Sequence, residues 1–460
     1  MRWQRTVVAL ACLCGLLVLD APVTRASHDI SRLTFGVVEG NARPDDADKL
    51  GVGWERIIVP WWQYQPAGPQ EFNTDVLPDS YVRRAQAAGR QIVGLIKGTP
   101  GWASSSGSLA ALPRGLNLPY IDPGNPWGAF ILKLVGHYAP LGLHDWIIWN
   151  EPDIRPGEGT VEFEGDVADY AQLLKISYLA AHTADPDVHI RIAGISWWHD
   201  LQAGRVPYLQ RMLEVLAKDP DGPKNSWYFD GICTHIYFTT SSVWTILKSN
   251  RDILARFGLS GKAIWLTEFN ASPRLDPKAR LKARFQVSLD QQADFIIQAS
   301  ALALAAGVER LAVFKLYDND FVPGQTEPWG LVRADGTLRP AFLAYQGVIQ
   351  HFSGVQRVQR YDNGQATLVT LTFPDRTLYV IWSDTFQAGQ VVAPASDITV
   401  YDAIGRPVQE PQAGVIELPG AEKIDVESVV VAGAVRILSL PGAPRRVEFR
   451  TGGGIVVPLN

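Results

Sequence analysis

Eight times between Leu33 and Leu316, a short apolar or β-branched run gives way to a polar turn and then a helical pattern. The runs are 33–39, 54–60, 91–97, 146–149, 190–197, 231–238, 263–267 and 310–316. Several are apolar at consecutive positions, as strands covered on both faces must be. Strands that alternate with helices form a parallel sheet, because each crossover brings the chain back in the same direction. An open sheet of this class more often has about five to seven strands and a Gly-rich phosphate turn, and neither GxGxxG nor GxxxxGKS/T occurs here. The expected fold class is therefore α/β, a closed (β/α)8 TIM barrel.

The intervening helices carry their own period. Leu209, Met212, Leu213 and Leu216 fall at i, i+3, i+4 and i+7, and Ala293, Ile296, Ile297, Ser300 and Leu304 form a second stripe. Beyond His351 the helical period stops. Runs such as 366–373, 377–382, 398–401, 415–418 and 434–438, separated by Gly, Pro and Asp, predict a C-terminal β-sandwich over 355–460. The barrel is assigned to 27–354.

Residues 1–26 read as a signal peptide: Arg2 and Arg5 precede an apolar run from Thr6 to Leu19, and Thr24-Arg25-Ala26 offers a cleavage site. The run is too short for a membrane span, which needs roughly 20 residues. A secreted or extracytoplasmic location without stable membrane insertion is expected. Cys12 and Cys14 leave with the leader, so Cys233 stands alone and no intrachain disulfide supports the exported chain. The net charge is -5; the leader's Arg2, Arg5, Arg25 and Asp20 hold +2 of it, leaving -7 on the mature protein. An acidic chain without a basic patch is not expected to bind nucleic acid. The eight histidines show no HxH or HExxH spacing, so neither a metal nor a cofactor is implied.

Barrels carry their chemistry at the C-terminal ends of the strands, and two glutamates stand there. Strand four ends in Trp149-Asn150-Glu151-Pro152, and strand seven in Thr267-Glu268-Phe269-Asn270. These strands lie across the barrel mouth from each other, so the two carboxylates share one cleft. Glycosidic cleavage needs such a pair, about 5 to 5.5 Å apart for retention of configuration and about 6.5 to 9.5 Å for inversion.

On these residues the chain resembles the clan A, or four-over-seven, retaining glycoside hydrolases, nearest to the xylosidase and endoglycosidase branch around families thirty-nine and five. The resemblance spans about residues 33–345. It implies Glu151 as acid/base, Glu268 as nucleophile, and Asn150 as a contact to the substrate 2-hydroxyl. Gly53-Trp54-Glu55-Arg56 is similar to the clan's second strand, which makes Arg56 a support for the nucleophile. His235-Ile236-Tyr237 is similar to its His-x-Tyr, with Tyr237 donating to Glu268. Trp329-Gly330-Leu331, Asp335-Gly336 and Pro340-Ala341-Phe342 resemble the end of such a barrel. Strand eight departs from the pattern, with Phe314-Lys315-Leu316-Tyr317 where the clan sets a tryptophan under the sugar, and Trp329 is expected to replace that platform.

Among the 15 tryptophans, Trp102 and Trp197 are the other expected stacking residues, although burial in the core is the commoner use of an indole. The substrate-contact set is thus Asn150, Arg56, His235, Tyr237, Trp102, Trp197 and Trp329. Each has a structural alternative: Arg56 an interior ion pair, His235 a satisfied core histidine. Lys97, Asp153, Lys315 and Asp318 also end strands, where ion pairing explains them equally well. The expected activity is cleavage of a polysaccharide or oligosaccharide by double displacement, with internal cutting favoured by the tryptophan-rich rim. A noncatalytic glycan-binding barrel and a transglycosylase using the same pair are the alternatives.

Overall fold

The computed structural model describes residues 30–278, 285–319, 328–392, 398–408, 414–425, 430–445, 447–451 and 456–459. The signal-peptide segment lies outside the described residues. Strands β1 (Phe35–Val38), β2 (Trp54–Pro60), β3 (Gln91–Lys97), β4 (Asp145–Ile148), β5 (His189–Ile195), β6 (Gly231–Tyr237), β7 (Ala263–Asn270) and β8 (Arg310–Val313) pair in chain order into a closed barrel. Parallel pairing of Phe35 with Leu311 joins the first strand to the last.

Side-chain alternation divides each strand between two cores. Val38, Trp54, Val93, Leu95, Ile147, Cys233, Trp265 and Ala312, drawn from seven strands, fill the barrel interior as one cluster. Their neighbours Val37, Ile57, Val59, Ile148, Leu266 and Phe269 join the outer core beneath the helices. At the N-terminal end of the interior, Arg191 pairs with Asp145 at 2.6 Å, and the Arg191 and Arg310 guanidiniums lie 3.5 and 4.6 Å from the Trp265 ring centre. This end of a barrel serves stability rather than chemistry.

The two helical stripes fold as their spacing predicts. Leu209, Met212, Leu213 and Leu216 are the buried face of helix Tyr208–Leu216. Helix Leu289–Ala305 begins with a capping box between Ser288 and Gln291 and buries thirteen of its seventeen residues. An ordinary barrel helix buries one face; this one is covered on the other side by the C-terminal domain. Its Asp294 accepts from the Val435 N–H at 2.9 Å, and Gln298 donates to the Gly433 carbonyl at 2.8 Å.

That domain is a β-sandwich. Strands Thr399–Tyr401, Arg436–Pro441, Arg376–Ser383, Ala366–Thr372 and Arg357–Asp362 form one antiparallel sheet, and Val415–Leu418, Gly389–Val392, Val447–Thr451 and Val456–Leu459 form the other. Leu368, Tyr379, Ile381 and Leu438 face the second sheet, whereas the alternate residues Val369, Leu371, Val380 and Trp382 join the barrel's outer core. A sheet apolar on both faces cannot stand in water on either, so the sandwich packs against the barrel without a linker.

Burial pushes the Asp294 carboxyl up to about 7, against the hydrogen bond from Val435 and the charge of Arg436. The unfolded chain loses this proton near the ordinary carboxylate value, about 4. Between there and about pH 7 the folded state binds the extra proton, so stability falls as pH rises through that window and the contribution is gone above it. Asp294→Asn keeps an acceptor for Val435 and cannot ionise. It should flatten the wild-type loss of stability between pH 5 and pH 8, by up to about 2.5 kcal/mol. Denaturant midpoints at the two pH values measure it, and equal slopes for variant and wild type would refute the coupling. Glu55, which burial also raises to about 7, contributes to the slope that remains.

Candidate active site

The backbone is unusual where the strands end. Among the described residues eight non-glycine positions have positive φ, and five of them follow barrel strands on the C-terminal side: Glu39 (58°), Trp149 (70°), Glu151 (40°), Trp197 (63°) and Phe238 (64°). Such conformations cost of order 1–3 kcal/mol each and persist where the surroundings hold them. After β4 the left-handed turns at 149 and 151 send the Trp149 indole into the outer core, where it donates to the Glu162 carbonyl, and leave Asn150 and Glu151 lining the cleft. The Glu151 N–H is fixed on the Gly194 carbonyl at 3.1 Å.

Glu268 reaches the cleft by a different device. Thr234 pairs with Leu266 but His235 pairs with Glu268, so Thr267 is an extra residue in β7, and the same slip occurs against β8. Strict alternation from Trp265 would turn Glu268 outward with Leu266. The inserted residue reverses the phase, aiming Glu268 inward and Phe269 into the outer core.

Around Glu268 the partners are dense. Arg56 donates to Oε1 and Tyr237 to Oε2, and His235 Nδ1 stands 3.5 Å from Oε2. The same Nδ1 lies 2.8 Å from Glu151 Oε1, and one oxygen of each glutamate and a ring nitrogen of His235 all fall within 4.8 Å of one another. Burial pushes the Glu268 carboxyl up, but the attraction of His235 and Arg56, with hydrogen bonds from Tyr237 and Arg56, more than reverses it and holds the group below the usual carboxylate range. Burial and the adjacent Glu268 raise the Tyr237 phenol far above its usual value, so it stays a donor. The Glu151 side chain is 19% exposed and that of Glu268 only 7%. One carboxylate is thus ionised and enclosed, the other nearer solvent.

The cleft measures about 920 Å³, towards the upper end for ligand pockets. Of the expected contacts, Asn150, Arg56, Tyr237 and Trp329 line it with both glutamates. Asn150 Oδ1 is buried and has no partner among the described residues, an acceptor available to a substrate hydroxyl. The half-buried Trp329 packs against Tyr237, Phe238 and Phe314 with ring centres 5.0, 5.5 and 5.9 Å apart, and its carbonyl accepts from Asn270. Trp102, Trp197 and His235 do not line the cleft. Trp102 packs edge-on to Trp61 at 5.8 Å and donates to the Gln65 carbonyl; Trp197 is buried, its backbone N–H bound to Asp153.

Residues given no role from sequence complete the lining, chiefly Glu39, Trp198, Phe238 and Phe285. Glu39 had a signal, a glutamate one residue past β1; Trp198 differs from Trp197 only by a turn that composition does not reveal. The other strand-end charges are paired: Lys97 with Glu162, Lys315 with Glu39 at 3.3 Å, and Asp318 with Arg339 at 2.7 Å. Glu151, His235 and Glu268 form the one group of three or more potential metal donors among the described residues. Arg56 and Tyr237 already occupy both Glu268 oxygens, and the guanidinium repels a cation, so the donor set suits an ion poorly.

No protein-family model matches the sequence, and no curated protein matches it. Solved structures do resemble it. A family 39 glycoside hydrolase from the gut symbiont Bacteroides cellulosilyticus WH2 aligns with TM-score 0.63 and 15% identity over 89% of this chain and 81% of its own. A family 39 β-xylosidase from Caulobacter crescentus aligns with TM-score 0.57 and 16% identity over 91% and 98%. A family 30 subfamily 8 xylanase from Clostridium acetobutylicum does so with TM-score 0.57 and 11% identity, again over 91% and 98%. At these identities the likeness establishes a shared fold, barrel and added β-domain together.

Proposed function

We propose that the chain is a retaining glycoside hydrolase in which Glu268 is the nucleophile and Glu151 the acid/base. The observation that carries the proposal is the pair itself: two carboxylates with oxygens within 4.8 Å, in one cleft, in unlike environments. Such close approach supports direct attack rather than attack through an intervening water. Glu268, ionised and held by Arg56 and Tyr237, attacks the anomeric carbon. Glu151 protonates the departing oxygen. Once Glu268 is esterified, Glu151 accepts the proton of the attacking water. Asn150 is assigned to the 2-hydroxyl and Trp329 to the sugar face.

For the substrate we propose a xylose-containing glycan, the sugar named for two of the structural neighbours, cut internally because the cleft is large. Incubation with 4-nitrophenyl β-xyloside and with xylan, followed by proton NMR of the first-formed anomer, tests both points. Retention with oligosaccharide release is expected, and the activity should survive a chelator. First-formed product of inverted configuration rules out the mechanism. Cleavage of the corresponding glucoside alone rules out the sugar.

A further inference from the structure

We propose that His235 is a positioning residue: held between Arg56 and the two glutamates, it dictates which oxygen of Glu151 carries the transferable proton. The proposal rests on the roles assigned above to Glu151 and Glu268. The His235 side chain is fully buried and absent from the cleft lining, so it touches no substrate. A Cβ on Gly194 would overlap its ring, so the glycine on β5 makes the space the imidazole fills.

The protonation of the ring follows from its neighbours. Nε2 lies 3.3 Å from Arg56 Nη1, and a guanidinium has donors only. Nε2 must therefore present its lone pair. A neutral imidazole with Nε2 free bears its hydrogen on Nδ1, which then donates to Glu151 Oε1 at 2.8 Å, with Glu268 Oε2 in reach at 3.5 Å. Because Oε1 is an acceptor, the acidic proton of Glu151 sits on Oε2. An N–H on Nε2 would point at the Arg56 guanidinium, so the arrangement with the hydrogen on Nδ1 is the one this geometry accommodates. When Glu151 gives up its proton, the Nδ1–H bond becomes charge-assisted and strengthens.

Two measurements test this. In protein labelled with 15N-histidine, with the His235 signals identified by their loss in His235→Ala, the expected pattern in the active enzyme is a protonated Nδ1 and a bare Nε2. In the kinetic test, His235→Ala should lower kcat/KM about 10- to 100-fold on a phenyl xyloside, which needs a proton, and less on a dinitrophenyl xyloside. The basic limb of its pH profile should move up by about one unit, since a donor to the ionised form is lost. His235→Asn, whose amide places an N–H near the Nδ1 position, should recover most of both. Equal losses on the two substrates with an unmoved profile, or an Asn variant no better than Ala, overturn the proposal. An imidazolium or Nε2–H tautomer in an active wild type overturns it alone. A wild type with the expected tautomer that cleaves no glycoside removes the functional reading and the proton role with it.

Discussion

Glu268→Gln should lower turnover on 4-nitrophenyl β-xyloside by about 10,000-fold or more while leaving xylo-oligosaccharide binding measurable by calorimetry. The amide has the carboxylate's shape but no charge with which to attack the anomeric carbon. Its folding cost is separable. Arg56 is buried with Glu268 as its ion-pair partner, and removing one member of a buried pair costs about 3–5 kcal/mol. The variant should therefore melt earlier yet cooperatively, and activity is compared well below its midpoint. Turnover within about tenfold of wild type would show that another group attacks.

Glu151→Ala should separate the two halves of the reaction. On xylan, whose leaving oxygen must be protonated, the loss should be about 100- to 10,000-fold, the usual worth of general acid catalysis. A dinitrophenyl leaving group departs without a proton, so the first step survives and the glycosyl-enzyme accumulates for want of a base. Azide needs no base. Adding it should restore turnover and yield a glycosyl azide of the substrate's own configuration, because the enzyme-bound sugar is attacked from the face the leaving group left. An azide-insensitive variant, or equal losses on both substrates, would remove Glu151 from the role.

Much of this architecture was legible in the sequence because it is written in short periods. Alternating runs and 3.6-residue stripes report locally what will be buried, and Leu209, Met212, Leu213 and Leu216 pack as their spacing requires. The two glutamates were legible for a related reason: each follows an apolar strand run, at the end of the barrel that carries chemistry. The near-complete burial of helix Leu289–Ala305 was less visible. Its second covered face comes from residues more than 130 positions further on, at Gly433 and Val435.

The aromatic contacts show where local reading stops. Trp102, Trp197 and Trp198 are equivalent in the chain, each just past a strand, yet only Trp198 lines the cleft. A left-handed turn at Trp197 decides between neighbours, and packing against Trp61 takes Trp102 away. Trp329 joins Tyr237 and Phe314 through a loop anchored by Asn270.

By itself, then, the chain's order of residues determined the alternation of strands and helices, the change to β-structure after His351, and the presence of a carboxylate at the ends of β4 and β7. Those depend on contacts between near neighbours, which hydrophobic spacing encodes directly. Only the tertiary structure decided that Thr267 is an extra residue against both flanking strands, so that Glu268 turns inward to Arg56, Tyr237 and His235. Side-chain direction in a strand reverses with a single-residue slip, and pairing with strands distant in the chain sets that register.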